Sequence, residues 1–185
     1  MRIGLMRHLP VAYKYSFAKN SQDFEQEIEN YNQADVIKKK KQDIGKWDIC
    51  YTSSMKRAQL TASFFYQGKI IITDLLKEVP LKAVPKTRMR MPVIFWFLLV
   101  RFYWLINSRS QPEPKCKTIA RARNFLETFC FPNQDHSTIL LVSHGLFLLV
   151  LQKVLRQLKY RGKIFLRPNH GTLYVFEKKP YEANS

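Results

Sequence analysis

Five short apolar runs punctuate this chain, and the spacing of the residues between them decides the class of fold. RIGLM (2–6), WDICYTS (47–53), KIIIT (69–73), STILLVS (137–143) and GTLYVFE (171–177) each have the length of a strand. Phe24, Ile28 and Tyr31 recur at i, i+4 and i+7 behind Ser21, with Asp23 and Glu25 where first-turn carboxylates favour a helix. Ser54 is a candidate N-cap for a helix that presents Ala58, Ala62 and Phe65 on one face. Two later helices are marked by Ile119, Ala122, Leu126 and Phe129, and by Phe147, Val150, Val154, Leu155 and Leu158. Strands alternating with helices predict an α/β fold, a three-layer α/β/α sandwich around a mostly parallel sheet.

A chain of 185 residues suits one core, and neither an internal repeat nor a Gly/Ser linker divides it, so a single domain over 1–185 is expected. Lys38 to Lys41 reads as a solvated loop or helix end. Cys50, Cys116 and Cys130 are odd in number and widely spaced, which supports neither a disulfide framework nor a zinc site. A reducing, cytoplasmic setting fits this usage. The apolar run before Arg7 is too short for the core of a signal peptide.

Charge narrows the partners. Lys and Arg outnumber Asp and Glu by 31 to 14, a formal +17, and residues 86–185 hold 17 of the bases against 5 acids. Such a field favours a phosphorylated or polyanionic partner. No basic-aromatic motif or groove-reading helix accompanies it, so nucleic acid is disfavoured.

In open α/β sheets, ligands sit beyond the carboxyl ends of the strands. Arg7 and His8 follow the first run; Ser53, Ser54 and Arg57 follow the second; His144 and Gly145 follow STILLVS. With Ser54 as cap, Arg57 would be the third helical residue, where free N–H groups already favour an anion. Two guanidinium forks suit a tetrahedral phosphoryl group. The nucleophile is a water, a serine or a histidine, and with no metal-ligand spacing to activate water, His8 is the best candidate. Flanking arginines disfavour its protonated form and leave a ring nitrogen able to attack phosphorus. Glu78, in TDLLKEVPL, is the candidate acid for an alcohol leaving group, with Glu113 the alternative.

LMRHLPV, YTSSMKRAQLTA, LLKEV and LVSHG, in that order, resemble the motifs of the histidine phosphatase superfamily, the phosphoglycerate mutase-like family, in its phosphatase branch. The resemblance covers almost the whole chain, most poorly from about 86 to 110. It implies His8 as the phosphorylated nucleophile, Arg7, Arg57 and His144 as the phosphate pocket, and Glu78 as proton donor, with no metal or organic cofactor. A small phosphorylated substrate follows, and hydrolysis is favoured over mutase chemistry because the family's mutases are longer. The pattern departs at Leu9, Pro10 and Val11, which replace the family's Gly, acidic residue and Thr, and at Lys14, where many members carry Asn. Loss of that glycine opens the competing reading of a binding module that docks a phosphorylated or anionic partner without turnover.

One segment stands apart. Between Val93 and Ile106 every residue except Arg101 is apolar, with Lys86, Arg88 and Arg90 before it and Arg109 after it. It is too short to span a bilayer, which needs about 20 apolar residues. Within a divergent lid at 86–110 it reads as a buried helix, started by Pro92, that walls the pocket with Phe95, Trp96 or Tyr103. A weak contact with an anionic membrane surface, giving a peripheral location, is the sharper reading, with Trp96 and Trp104 as its anchors. A dimer contact is the third.

Overall fold

The computed structural model describes residues 1–38, 42–132 and 137–178. Strand β1 (Arg2–Arg7) leads through the two-residue β2 (Ala18–Lys19) into helix α1 (Ser21–Gln33). Next come β3 (Ile49–Ser53), α2 (Lys56–Phe65) and β4 (Ile70–Thr73). The short β5 (Met91–Pro92) opens α3 (Val93–Leu105), and α4 (Lys115–Phe125) runs on as a π-helical turn to Cys130. The chain continues through β6 (Thr138–Ser143), α5 (Gly145–Gln157), β7 (Arg161–Gly162) and β8 (Leu173–Glu177).

Six strands form one sheet in the order β4-β3-β6-β1-β8-β7, while β2 and β5 pair as a separate ribbon. β4, β3, β6 and β1 are parallel, and β8 and β7 close one edge antiparallel. β1 and β6 read as continuous apolar runs because both their faces are covered. Ile3, Leu5, Ile139 and Leu141 pack with Phe125 of α4 and Leu148 and Leu151 of α5. Met6, Cys50, Leu140 and Val142 turn the other way, onto Ala58, Ala62 and Phe65 of α2. The expected three-layer sandwich with a mostly parallel sheet is therefore the observed one. Gly4 lies under Trp47, so close that an added Cβ would stand 2.5 Å from the indole.

Three local expectations shift. α1 is capped by Asn20, whose side chain accepts from the Asp23 N–H at 2.9 Å, so Ser21 is the first helical residue. α2 begins behind Met55, because the Ser54 hydroxyl is drawn to the Asp74 carboxylate and the Ser53 Oγ accepts the Met55 N–H. Arg57 is thus the second helical residue, one place nearer the positive end. Lys38 is exposed, as a solvated loop requires, and residues 39–41 of that basic run lie outside the described residues.

The divergent segment holds α3, whose Val93, Trp96 and Val100 join Phe24 of α1 in a cluster of their own. Pro92 caps this helix and Val93 is its first residue. The expected pocket wall is not formed as foreseen. Trp96 is fully buried against Phe24 with its indole N–H donating to the Lys19 carbonyl, Phe95 is exposed, and Tyr103 does not reach the cleft. Trp104 is also core, its indole N–H donating to Thr118 Oγ1 at 3.1 Å, so neither tryptophan is a surface anchor. Among the described residues, no helix is long and apolar enough to cross a membrane.

Candidate active site

β3, β6 and β1 are neighbours in the sheet, so their carboxyl ends deliver Ser53, His144 and the Arg7–His8 pair to one place. The His8 backbone N–H donates to the Ser143 carbonyl at 2.9 Å, extending the β1–β6 pairing by one residue past β1. Its Nδ1 lies 2.7 Å from the Leu9 carbonyl. A carbonyl only accepts, so in the neutral ring the proton sits on Nδ1 and Nε2 keeps the lone pair. Burial, and next the Arg57 guanidinium, hold the His8 pKa well below 6.5 despite the opposing bond to Leu9. His8 is neutral at pH 7.

Leu9, at the family's glycine position, is fully buried and packs into the cluster with Ala58 and Phe65. It stands close to Gly171, where φ is +69° and an added Cβ would lie 3.0 Å from Leu9 Cδ2. The leucine therefore occupies the α2 side of the sheet and leaves the cleft alone. Its N–H donates to Thr61 Oγ1 at 2.9 Å, and that hydroxyl donates to the Arg57 carbonyl, tying the first and second motifs together. Lys14 points to water and takes no part in the cleft.

A cleft of about 750 Å3 opens over His8, lined also by Arg7, Arg57, Glu78, Arg101 and His170. Arg57 is held by Asn32 Oδ1 at 2.9 Å and lies 5.1 Å from the centroid of the Tyr31 ring. Arg7 donates to the Pro168 carbonyl at 3.0 Å. Each keeps its Nε buried and without a hydrogen-bond partner, as does Arg101 at Nη1 and His144 at Nδ1. These are four of the five such side-chain atoms among the described residues, and three of the four belong to residues of the cleft wall. Leaving a buried donor unmade costs about 1–3 kcal/mol, so the fold carries these unpaired nitrogens at a cost in stability.

His144 does not line the cleft. It is fully enclosed beneath it, its ring 5.1 Å from that of His8, and burial, then Arg57, hold its pKa well below 6.5. Its Nε2 meets Ser53 Oγ at 2.8 Å, and that oxygen already accepts the Met55 N–H. The arrangement is satisfied when the Ser53 hydroxyl donates to Nε2 and the imidazole proton sits on Nδ1 as a spare donor.

Glu78 caps α5. Its Oε1 accepts from the N–H groups of Val79 at 2.9 Å and Phe147 at 3.1 Å, and its Oε2 from Leu146 at 3.3 Å. The loop that carries it is pinned by Arg121, which donates to the carbonyls of Leu75 and Lys77 and lies 4.1 Å from the Phe147 ring centroid. Glu113, the alternative acid, is bound to Arg121 through both its oxygens at 3.0 Å and stands outside the cleft.

Sequence reasoning missed five residues of the cleft. His170 meets the His8 carbonyl through Nδ1 at 2.7 Å, with the two rings 5.0 Å apart. Tyr13, Tyr15 and Tyr31 line the mouth, the last two stacked at 5.5 Å. Arg101 turns from an otherwise apolar helix into the cleft, and its charge in that run was the available signal, since a buried cation needs a counter-charge.

A cleft walled by arginines at the carboxyl ends of a mostly parallel sheet, with a neutral histidine at its floor, defines the class. Residues 3–182 match the histidine phosphatase superfamily (branch 1), and the chain belongs to that family. Solved structures share its fold. Phosphoserine phosphatase from Entamoeba histolytica, in complex with 3-phosphoglyceric acid, is 17% identical with a TM-score of 0.55, over 94% of this chain and 89% of that one. The α-ribazole phosphatase from Shigella flexneri is 20% identical with a TM-score of 0.57, over 95% and 89%. A mycobacterial glucosyl-3-phosphoglycerate phosphatase complexed with VO3 is 13% identical with a TM-score of 0.56, over 94% and 90%. Comparison with curated protein sequences found no match.

Proposed function

We propose that this chain is a phosphomonoester phosphatase that works through a phosphohistidine on His8. The observation that carries the reading is a neutral His8 imidazole in a cleft whose wall brings together Arg7, Arg57 and Arg101. His8 Nε2 attacks phosphorus while the bond to the leaving oxygen breaks. Arg7 and Arg57 donate to the phosphoryl oxygens as their charge redistributes, with His144 enclosed beneath the His8 ring. Glu78 passes a proton to the leaving alcohol, through Oε2, which carries the longest of its three hydrogen bonds. Water then attacks the phosphohistidine, giving its proton to Glu78, and releases inorganic phosphate with His8 restored.

The chemistry uses no metal. Hydrolysis, not transfer to a second alcohol, is favoured because the structural relatives are phosphatases. Beyond the phosphoryl site, Tyr13, Tyr15, Tyr31, Glu29 and Lys77 present an aromatic and polar surface to the leaving group. The alternative of a binding module without turnover rested on Leu9, whose side chain packs away from the cleft. The test is release of nitrophenol from nitrophenyl phosphate by the purified protein, with and without a chelator. Turnover should survive chelation and fall on the order of 100- to 1,000-fold in Arg57→Ala, as for other preorganised donors. No release, or complete loss on chelation, contradicts the proposal.

A further inference from the structure

α3 is apolar on every side except at Arg101, and so apolar a helix belongs in a core or in lipid. It lies in neither. Val93, Trp96, Val100 and Trp104 are buried, but Ile94, Phe95, Leu98, Phe102 and Leu105 on the opposite side, with Ile106 just after, are each more than half exposed. At 3.6 residues per turn they fill an arc of about 120°. Together they present on the order of 600 Å2 of apolar surface, at the upper end of what monomers leave uncovered. The surface continues past the helix. A cleft of about 420 Å3 between Trp104, Leu105, Leu146, Leu149 and Leu166 carries it toward Arg7 and Arg101, and Leu166 itself is 91% exposed.

The charges flanking this face are mostly of one sign, although Lys86 is paired with Glu25 of α1 at 2.6 Å. From Val79 to Pro112 the chain has no Asp or Glu, but has Lys82, Lys86, Arg88, Arg90, Arg101 and Arg109. From Gln157 to Phe176 it again has none, against Lys159, Arg161, Lys163 and Arg167. Arg88 and Arg90 are exposed at the start of α3, and Arg167 is exposed beside Leu105 and Leu166 at its end. A second copy of this chain would bring the cations Arg88, Arg90 and Arg167 against their own counterparts. An anionic bilayer answers both features, with acyl chains for the aromatic and aliphatic arc and headgroup phosphates for the rim.

We infer that the exposed face of α3, with Leu166, docks this protein on an anionic lipid surface. The helix is 13 residues, about 20 Å, so it lies in the interface and does not cross it. Docked this way, the protein holds its catalytic cleft beside the bilayer, since Arg7 and Arg101 line both that cleft and the apolar one opening from the docked face. The docking is independent of whether the cleft hydrolyses phosphomonoesters.

The test is co-sedimentation of the full chain with vesicles of phosphatidylcholine containing about a third phosphatidylserine, against pure phosphatidylcholine, at low and high salt. The protein should pellet with the anionic vesicles at low salt, stay in solution with the neutral ones, and be released by salt. Phe95→Ser with Leu98→Ser and Phe102→Ser should weaken binding at least tenfold while thermal unfolding stays at the wild-type temperature. Arg88→Glu with Arg90→Glu, away from the apolar arc, should weaken it too. Failure to pellet with anionic vesicles at low salt overturns the inference, as does binding that the triple variant leaves unchanged. Sedimentation as a dimer that the triple variant dissolves would assign the face to self-association instead.

Discussion

At the scale of single residues, the site separates two histidines by what holds them. His8 gives its Nδ1 proton to Leu9 and keeps Nε2 for chemistry, whereas His144 is locked through Nε2 to Ser53 and offers only Nδ1. Both pKa values are depressed well below 6.5, burial being the largest cause in each. An unfolded histidine takes up its proton near pH 6.5, before either folded one does, so stability contributed by these groups is present above that pH and lost as pH falls below it. The urea midpoint should accordingly drop between pH 7 and 5, and less steeply in His8→Gln. Because burial and Arg57 depress the His8 pKa, the acid limb of kcat/KM for an aryl phosphate should lie below pH 6.5 if His8 is the nucleophile proposed. Glu78 has a different signature. Glu78→Gln should slow alkyl phosphates strongly and nitrophenyl phosphate weakly, because an alkoxide needs a proton far more than nitrophenolate does. Equal slowing of both would remove the acid role from Glu78, and Glu113, bound to Arg121, is not placed to take it.

At the scale of elements, the arrangement depends on ties between strand ends. The Leu9 N–H to Thr61 hydroxyl to Arg57 carbonyl chain couples the end of β1 to the first turns of α2, and so fixes the nucleophile relative to the arginine. Thr61→Val keeps the volume but leaves a buried N–H unpaired. It should cost about 1–3 kcal/mol of stability by urea denaturation and lower turnover as well; a variant as stable and active as wild type would refute the coupling. Such ties were illegible in the sequence. β1, β3, β6 and their helices were readable because burial on both faces writes continuous apolar runs, and helical periodicity writes the layers above and below. The caps were read one residue out at Ser21 and at Ser54, where a neighbouring Asn20 and a distant Asp74 competed for the same hydroxyl and amide groups. α3 was read correctly as a helix, but not its orientation. With apolar residues on every side except at Arg101, its sequence holds no signal for which face turns inward, and Trp96 and Trp104 took the core while Phe95 stayed out.

At the scale of the molecule, +17 of formal charge surrounds a cleft whose floor is a neutral imidazole flanked by two arginines. Under the proposed function, the long-range field draws in an anion and the guanidinium forks of the cleft suit a tetrahedral one. Arg7, His8 and His144 were legible because each stands at the carboxyl end of a strand, a position the sheet topology dictates. His170 and the three tyrosines were not legible, since loops bring them in and loops carry no periodicity. All of this converges on one claim, that phosphate is transferred to His8. Brief mixing with a phosphomonoester labelled in its phosphoryl group, followed by rapid quench, tests it directly. The account predicts an acid-labile, alkali-stable phosphate on the chain that is absent, together with turnover, in His8→Ala; undiminished label in that variant would contradict it.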